Sequence, residues 1–205
     1  MKFTFAASPS STPDAIGFAV GKDMLDSAEI SIEQADMVRV AAKAGRFEGK
    51  TGQIFQTFVK EGDAVIQVVL TGIGKGKRKD CEAAGGAIIA KLMTSGVKQL
   101  AINGKGLEQD QLARLLFGAK LRSWRIDKYR TTMPENLKPT LEAITVLDTD
   151  MESAQVWQDL SAVADGVALT RELVSEPANV IYPESFVARC EELQDMGVEF
   201  TVLGK

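Results

Sequence analysis

The sequence predicts a layered α/β protein with a mixed sheet, followed by one long helix. Short apolar runs alternate with segments whose apolar residues recur at helical spacing, the pattern of strands and helices stacked in layers. One pair of runs is joined by Lys60-Glu61-Gly62-Asp63, a hairpin turn, so the sheet is not purely parallel. Beyond Ser153 the helical stripe runs unbroken as far as Val174.

In chain order, Lys2 to Ala6 places Phe3 and Phe5 on one face of a strand, and Ser8 to Pro13 is a loop. Ala15 to Val20 is a second apolar run. Ile32 to Ala44 reads as a helix, with Ile32, Ala35, Val38 and Ala42 on one stripe and Gly45 at its end. Gln53 to Val59 and Ala64 to Leu70 form the hairpin. Its second arm (Val65, Ile66, Val68, Val69, Leu70) is apolar enough to be an interior strand covered on both faces.

Arg78 to Thr94 is helical, and Ala83, Ala87 and Ala90 let it pack closely on a sheet. Lys98 to Asn103 is a short strand, and Glu108 to Trp124 a helix carrying Leu112, Leu115, Leu116 and Ala119. Ala143 to Leu147 is a further strand. Thr149-Asp150-Met151-Glu152 has the form of a capping box, and Val156, Leu160, Val163, Val167 and Val174 recur behind it. Ser153 to Val174 spans about 33 Å at the helical rise, enough to bridge two domains. Glu176-Pro177 stops it, since the residue before a proline avoids helical torsions. A helix opens at Pro183 and runs to Gly197; Val198 to Leu203 closes as a strand.

Composition narrows the function classes. At 205 residues the chain holds one large domain or a domain with an appendage. A net charge of −4 gives no global pull toward nucleic acid or an anionic membrane. Cys81 and Cys190 fall in helical patterns, as free thiols of a reducing cytoplasm do. The apolar stretch Phe3 to Ala7 is too short for a signal-peptide core, and no stretch of this sequence approaches the roughly 18 apolar residues of a membrane span. There is no histidine, which removes Ser-His-Asp and Cys-His nucleophile systems and nearly all imidazole zinc sites.

Three segments invite a chemical reading. Gly72-Ile73-Gly74-Lys75-Gly76-Lys77-Arg78-Lys79 lies between a strand and a helix, where backbone amides can bind an anion. It misses both phosphate-loop and dinucleotide spacings, so a flexible turn is the plainer reading. Lys120 to Arg130 gathers Lys120, Arg122, Arg125, Lys128 and Arg130 around Asp127, with Trp124 and Tyr129 interleaved. Such a patch suits a subunit interface or nucleic-acid contact, and equally a solvated helix end. Glu176 and Asn179 flank prolines, where Asn179 is expected to bond its own backbone in a turn.

Two segments resemble the leucyl aminopeptidase (cytosol aminopeptidase) family. Arg171-Glu-Leu-Val-Ser-Glu-Pro-Ala-Asn-Val-Ile-Tyr-Pro-Glu-Ser-Phe186 is similar to that family's hinge, Arg-x-Leu-x-Asn-x-Pro-Ala-Asn-x-x-Thr-Pro. Ser175 and Tyr182 replace the commoner Asn and Thr, so the helix opening at Pro183 has no hydroxyl N-cap. Gly118 to Thr131 is similar to Gly-Ala-x-Leu-x-Ser-Tyr-x-Phe-Asp-x-Tyr, with Trp124 and Ile126 in place of Tyr and Phe.

The resemblance implies a macro-domain-like three-layer α/β/α domain over 1–150, an interdomain helix over 151–176 and the first segment of a catalytic domain over 177–205. Glu176, Pro177, Asn179 and Pro183 would form the hinge. In the family two divalent metals, manganese or zinc, serve peptide hydrolysis within a hexamer. Their ligand motifs, Phe-Asp-Thr-Gly-Gly and Asn-Thr-Asp-Ala-Glu-Gly-Arg, are absent here. Thr149-Asp150-Met151-Glu152 matches only the middle of the latter and lies before the hinge.

No catalytic or metal-binding residue is therefore carried over, and the chain by itself is expected to bind no cofactor and be inactive. Peptide substrates would be met through the missing domain. The alternative is a self-standing macro-like module for ADP-ribose or a related nucleotide, although its Asn-Ala-Ala-Asn signature is missing. The third is a nucleic-acid or assembly role through Lys120 to Arg130.

Overall fold

The computed structural model describes residues 1–9, 11–149 and 152–204, together with the backbone of Met151. It divides into two compact units, Met1–Ala164 and Asp165–Lys205. The first unit is built on a six-stranded sheet. Its strands are β1 (Lys2–Phe5), β2 (Ala15–Gly21), β3 (Ile54–Glu61), β4 (Ala64–Gly74), β5 (Gln99–Asn103) and β6 (Ala143–Leu147). They lie in the order β1-β6-β5-β2-β4-β3. All neighbours pair in parallel except β3 with β4, whose antiparallel register runs from Ile54 opposite Thr71 to Glu61 opposite Ala64. The mixed sheet and its hairpin are as the sequence predicts.

Alternation along the strands sends side chains to two apolar layers. Phe3, Ala15, Val69, Ile73, Leu100, Ile102, Ile144 and Val146 face the helices α2 (Arg78–Leu92) and α3 (Gln109–Ser123), with Trp157 of α4 (Met151–Ser175) joining them. Ile16, Phe18, Val20, Ile66, Val68 and Leu70 face the opposite way, onto Val38 and Ala42 of α1 (Ala35–Ala44) and onto Leu25, Ile30 and Phe47. Helices on both faces of one sheet make the α/β/α layering. β4 is buried along nearly its whole length, as an interior strand with both faces covered should be.

Several expected boundaries move. The helix expected from Ile32 starts at Ala35. Before it, the Ile32 N–H bonds the Ile30 carbonyl, a tighter turn that lets Ile32 pack on the second core. The small residues of α2 serve α3 more than the sheet: a Cβ on Gly85 would lie 1.8 Å from the Leu115 carbonyl oxygen. The capping box expected at 149–152 includes Asp150, outside the described residues. Of its described members, the Glu152 carboxylate accepts from Gln109 Nε2 at 2.6 Å, and the Thr149 hydroxyl is buried without a partner.

The second unit holds the remainder of α4, the segment 176–182 and α5 (Pro183–Glu191), with a short 3-10 turn over Gln194–Met196. α5 ends earlier than expected, and Gly197 closes the next turn at φ +84°. Val198 to Leu203 is not a strand. A strand needs a neighbour to accept its ladder of hydrogen bonds, and among the described residues none is offered.

Candidate functional site

The basic segment 120–130 is split by the fold into separate environments. Lys120, in the last turn of α3, turns toward α4: its Nζ donates to the Ser161 hydroxyl at 2.7 Å and carbonyl at 3.1 Å, and lies 5.8 Å from the Trp157 ring centre. Trp157 in turn meets Phe3 at 4.9 Å between ring centres. Lys120 therefore ties a helix down.

Arg122, Arg125 and Arg130 do come together. They line a cavity of about 310 Å³ floored by Ile89, Ala90 and Met93. Arg125 Nε donates to Asp127 at 2.6 Å, and Arg130 approaches the same carboxylate at 3.8 Å. Hydrogen bonding from Arg125 holds the Asp127 carboxyl below its usual range, against the smaller opposing effect of burial. Arg125 also reaches the Leu137 carbonyl at 3.5 Å. Lys128 is exposed, its Nζ 5.3 Å from the Tyr129 ring centre, and Trp124 is half-buried. What remains toward solvent is an arginine-lined hollow at the C-terminal ends of α2 and α3, where positive charge also complements the helix dipoles.

In the segment that the sequence likens to a hinge, Glu176 is buried while Pro177, Asn179 and Pro183 are exposed. The expected Asn179 side-chain bond does not form among the described residues. The turn is closed by backbone instead, with the Val180 and Ile181 N–H groups both donating to the Pro177 carbonyl at 2.8 and 3.0 Å. A proline stop already sets the chain direction, so the asparagine is left to solvent. Pro183 opens α5, and Ser185 reaches back to the N-cap: its Oγ accepts the Tyr182 N–H at 2.9 Å, the reciprocal half of a capping box.

The glycine-rich segment 72–79 is not a flexible turn. Its first residues complete β4, and the Gly74 N–H donates to the Gly49 carbonyl at 3.0 Å while the Gly74 carbonyl accepts from Lys22 at 2.7 Å. Thr51 Oγ1 donates to the buried Asp80 carboxylate at 3.0 Å, clamping the loop before β3 to the first turn of α2. Glycine is required: a Cβ on Gly74 would fall 2.2 Å from Thr51 Oγ1.

A second polar cluster escaped the sequence reading. Asn103, at the end of β5, donates from Nδ2 to Ser31 and to Asp148 at 3.1 Å, and accepts the Lys105 N–H at 2.7 Å. Asp148 holds φ +50° there. These residues are single polar letters far apart in the sequence, with no spacing to announce them. Among the described residues no group of three or more His, Cys, Asp or Glu is placed to hold a metal ion. No helix among them is long and apolar enough to cross a membrane.

Comparison with known proteins adds to this geometry. The family model described as the cytosol aminopeptidase family, N-terminal domain, matches residues 15–133. A probable cytosol aminopeptidase of Caulobacter vibrioides is 36% identical over 169 residues, covering 80% of this chain and 34% of that protein. Another, from a Bradyrhizobium species, is 34% identical over 176 residues, covering 82% and 35%. The chain thus spans about a third of the length of the curated relatives it matches. Among solved structures, a tomato leucine aminopeptidase mutant superposes with a TM-score of 0.74 over 96% of this chain and 42% of that one, at 18% identity. The bottromycin maturation enzyme BotP gives 0.68 over 92% and 38%, at 20% identity. At these identities the structural likeness is one of fold.

Proposed function

We propose, from the premise that this chain belongs to the cytosol aminopeptidase family and carries its N-terminal domain, that it is the assembly and regulatory part of an enzyme removing N-terminal residues from peptides. The observation that carries this is the family match across residues 15–133, together with relatives that bear the aminopeptidase name. Those names also favour it over a self-standing macro-like module for ADP-ribose.

In this reading residues 1–150 form the N-terminal domain, 151–176 the connecting helix and 177–205 the start of the catalytic domain. Glu176, Pro177, Asn179 and Pro183 set the direction in which the chain leaves that helix. Two divalent cations, manganese or zinc, would activate water and polarise the scissile carbonyl in the catalytic domain. None of the residues of this chain is assigned to them. Its own contribution is structural: Lys120 fixes α4 against α3, and Arg122, Arg125 and Arg130, with Trp124 and Lys128 beside them, offer a surface to a second subunit. Arginine and aromatic residues are enriched at such contacts. A homo-oligomer, a hexamer in the whole enzyme, working in the cytoplasm on peptides completes the proposal.

Purified as given, the chain should release no more than background p-nitroaniline from leucine p-nitroanilide with manganese or zinc. Metal-dependent turnover by these 205 residues would overturn the assignment. Light scattering of the Arg122→Glu, Arg130→Glu variant tests the interface: an oligomeric state identical to that of the unaltered chain removes this patch from assembly.

A further inference from the structure

The sheet ends at β3, whose far side meets no other strand among the described residues. In an antiparallel pair, alternate residues turn their N–H and C=O toward the neighbouring strand and the rest turn them away. The Gly72 N–H donates to the Gln53 carbonyl at 2.8 Å, so in this register Phe55, Thr57 and Val59 face β4. Ile54, Gln56, Phe58 and Lys60 therefore direct their backbone groups outward. At Lys60 the carbonyl is already taken, accepting from Gln34 Nε2 at 2.9 Å. Among the described residues no hydrogen bond reaches the backbone of Ile54, Gln56 or Phe58.

An open edge is a template for pairing, and soluble proteins guard it with charge, proline, bulges or brevity. The other edge strand, β1, has four residues and begins with Lys2. β3 has eight in unbroken register, with no proline and no charge before Lys60. Phe58 stands beside the unpaired ladder, 62% exposed.

Antiparallel pairing about a two-fold axis matches this edge to itself. Centred on Gln56, it sets Ile54 opposite the second copy's Phe58, so the open donors and acceptors satisfy one another and each phenylalanine gains an apolar neighbour. No charge meets its like within the paired stretch. Beyond it, the 60–63 turn of one copy comes to the 46–50 loop of the other. Gln53 holds that loop against the start of β3, its Oε1 accepting the Glu48 N–H and its Nε2 donating to the Arg46 carbonyl, both at 2.9 Å. The turn carries Lys60 against Glu61 and Asp63, net −1, and the loop carries Arg46 and Lys50 against Glu48, net +1. Arg46 is exposed and has no ion pair among the described residues. The two-fold repeats this complementarity at both ends.

We propose that β3 joins two copies of this chain, antiparallel and edge to edge, with Gln56 on the axis. Such a contact closes on itself at two copies. It is separate from the arginine hollow and does not depend on peptidase activity.

The test is light scattering from about 5 to 500 µM in the Arg122→Glu, Arg130→Glu background, which silences the arginine surface. The mass should climb from 22.1 kDa toward twice that value. Gln56→Pro removes an outward donor at a position where an edge strand tolerates proline, and Phe58→Lys sets a charge against the partner edge. Each, added to that background, should hold the chain at the monomer mass while leaving the melting temperature in place. Amide exchange of the unaltered chain gives an independent reading. With rising concentration the Ile54, Gln56 and Phe58 amides should slow about tenfold or more, while those of Phe55, Thr57 and Val59, bonded to β4 throughout, hardly change. A monomer mass at every concentration, a dimer that survives either β3 variant, or a dimer that leaves those three amides fast would each overturn the proposal.

Discussion

Gly85 of α2 and Leu115 of α3 meet backbone to backbone: a Cβ on Gly85 would sit 1.8 Å from the Leu115 carbonyl oxygen. The contact is reciprocated by Gly118, whose Cβ would sit 1.9 Å from the Glu82 carbonyl oxygen. Inside a helix, Gly→Ala ordinarily gains about 1 kcal/mol from propensity. Here the methyl must push two helices apart, at a cost of about 1–3 kcal/mol or more. Gly85→Ala and Gly118→Ala should therefore lower the urea midpoint. Gly166→Ala in α4, where nothing lies within 4 Å, should raise stability by about 0.5–1 kcal/mol. The same sign at all three sites would refute the close crossing.

Much of this layering was legible in the sequence, and the reason is periodicity. β4, α3 and β6 each carry a side-chain pattern that only one burial geometry satisfies, and they form close to where that pattern places them. What escaped is whatever depends on a partner distant in the chain. The small residues of α2 read as sheet-packing because nothing in their spacing names α3. Val198 to Leu203 has strand composition but, among the described residues, no strand to join. The positive run 120–130 reads as one patch, yet Lys120 leaves it for Ser161, because a helix end and the loop after it point apart. Thr51 and Asp80, which clamp the glycine-rich segment, are individually unremarkable letters.

Trp157 joins the first strand to the helical layer, its ring tilted against Phe3 at 4.9 Å between centres and only 6% exposed. Trp157→Ala should cost about 3–5 kcal/mol in urea unfolding, the range for emptying a large aromatic site. Loss of less than about 1 kcal/mol would mean that α4 is not anchored here.

The two cysteines should behave oppositely. Burial, with Asp80 and Asp110 nearby, pushes the Cys81 thiol up from 9.0 to about 11, so it stays neutral and enclosed at pH 8. Cys190 is partly exposed. Ellman's reagent at pH 8 should titrate one thiol promptly and the second only after denaturation. Because the folded pKa is raised, this thiol's contribution to stability is complete below pH 9 and is lost between about pH 9 and 11. Cys81→Ala should flatten that part of the stability profile; an unchanged alkaline slope would assign it to other groups.

Protection should be uneven along the chain, and the exposed apolar residues say where. In the second unit Phe186 is 47% exposed, Met196 79% and Leu203 88%, so α5 and the segment after it bury little of their own apolar surface. Val68, Val69 and Leu70 of β4 are fully buried. Opening free energies follow local burial, from near zero at poorly packed segments to the global value in core strands. Amides of Pro183 to Leu203 should therefore exchange far sooner than those of Ala64 to Leu70. If the two stretches were equally slow, residues 177–205 would be an integral part of the N-terminal fold, and the reading of them as the first piece of a separate catalytic domain would fall.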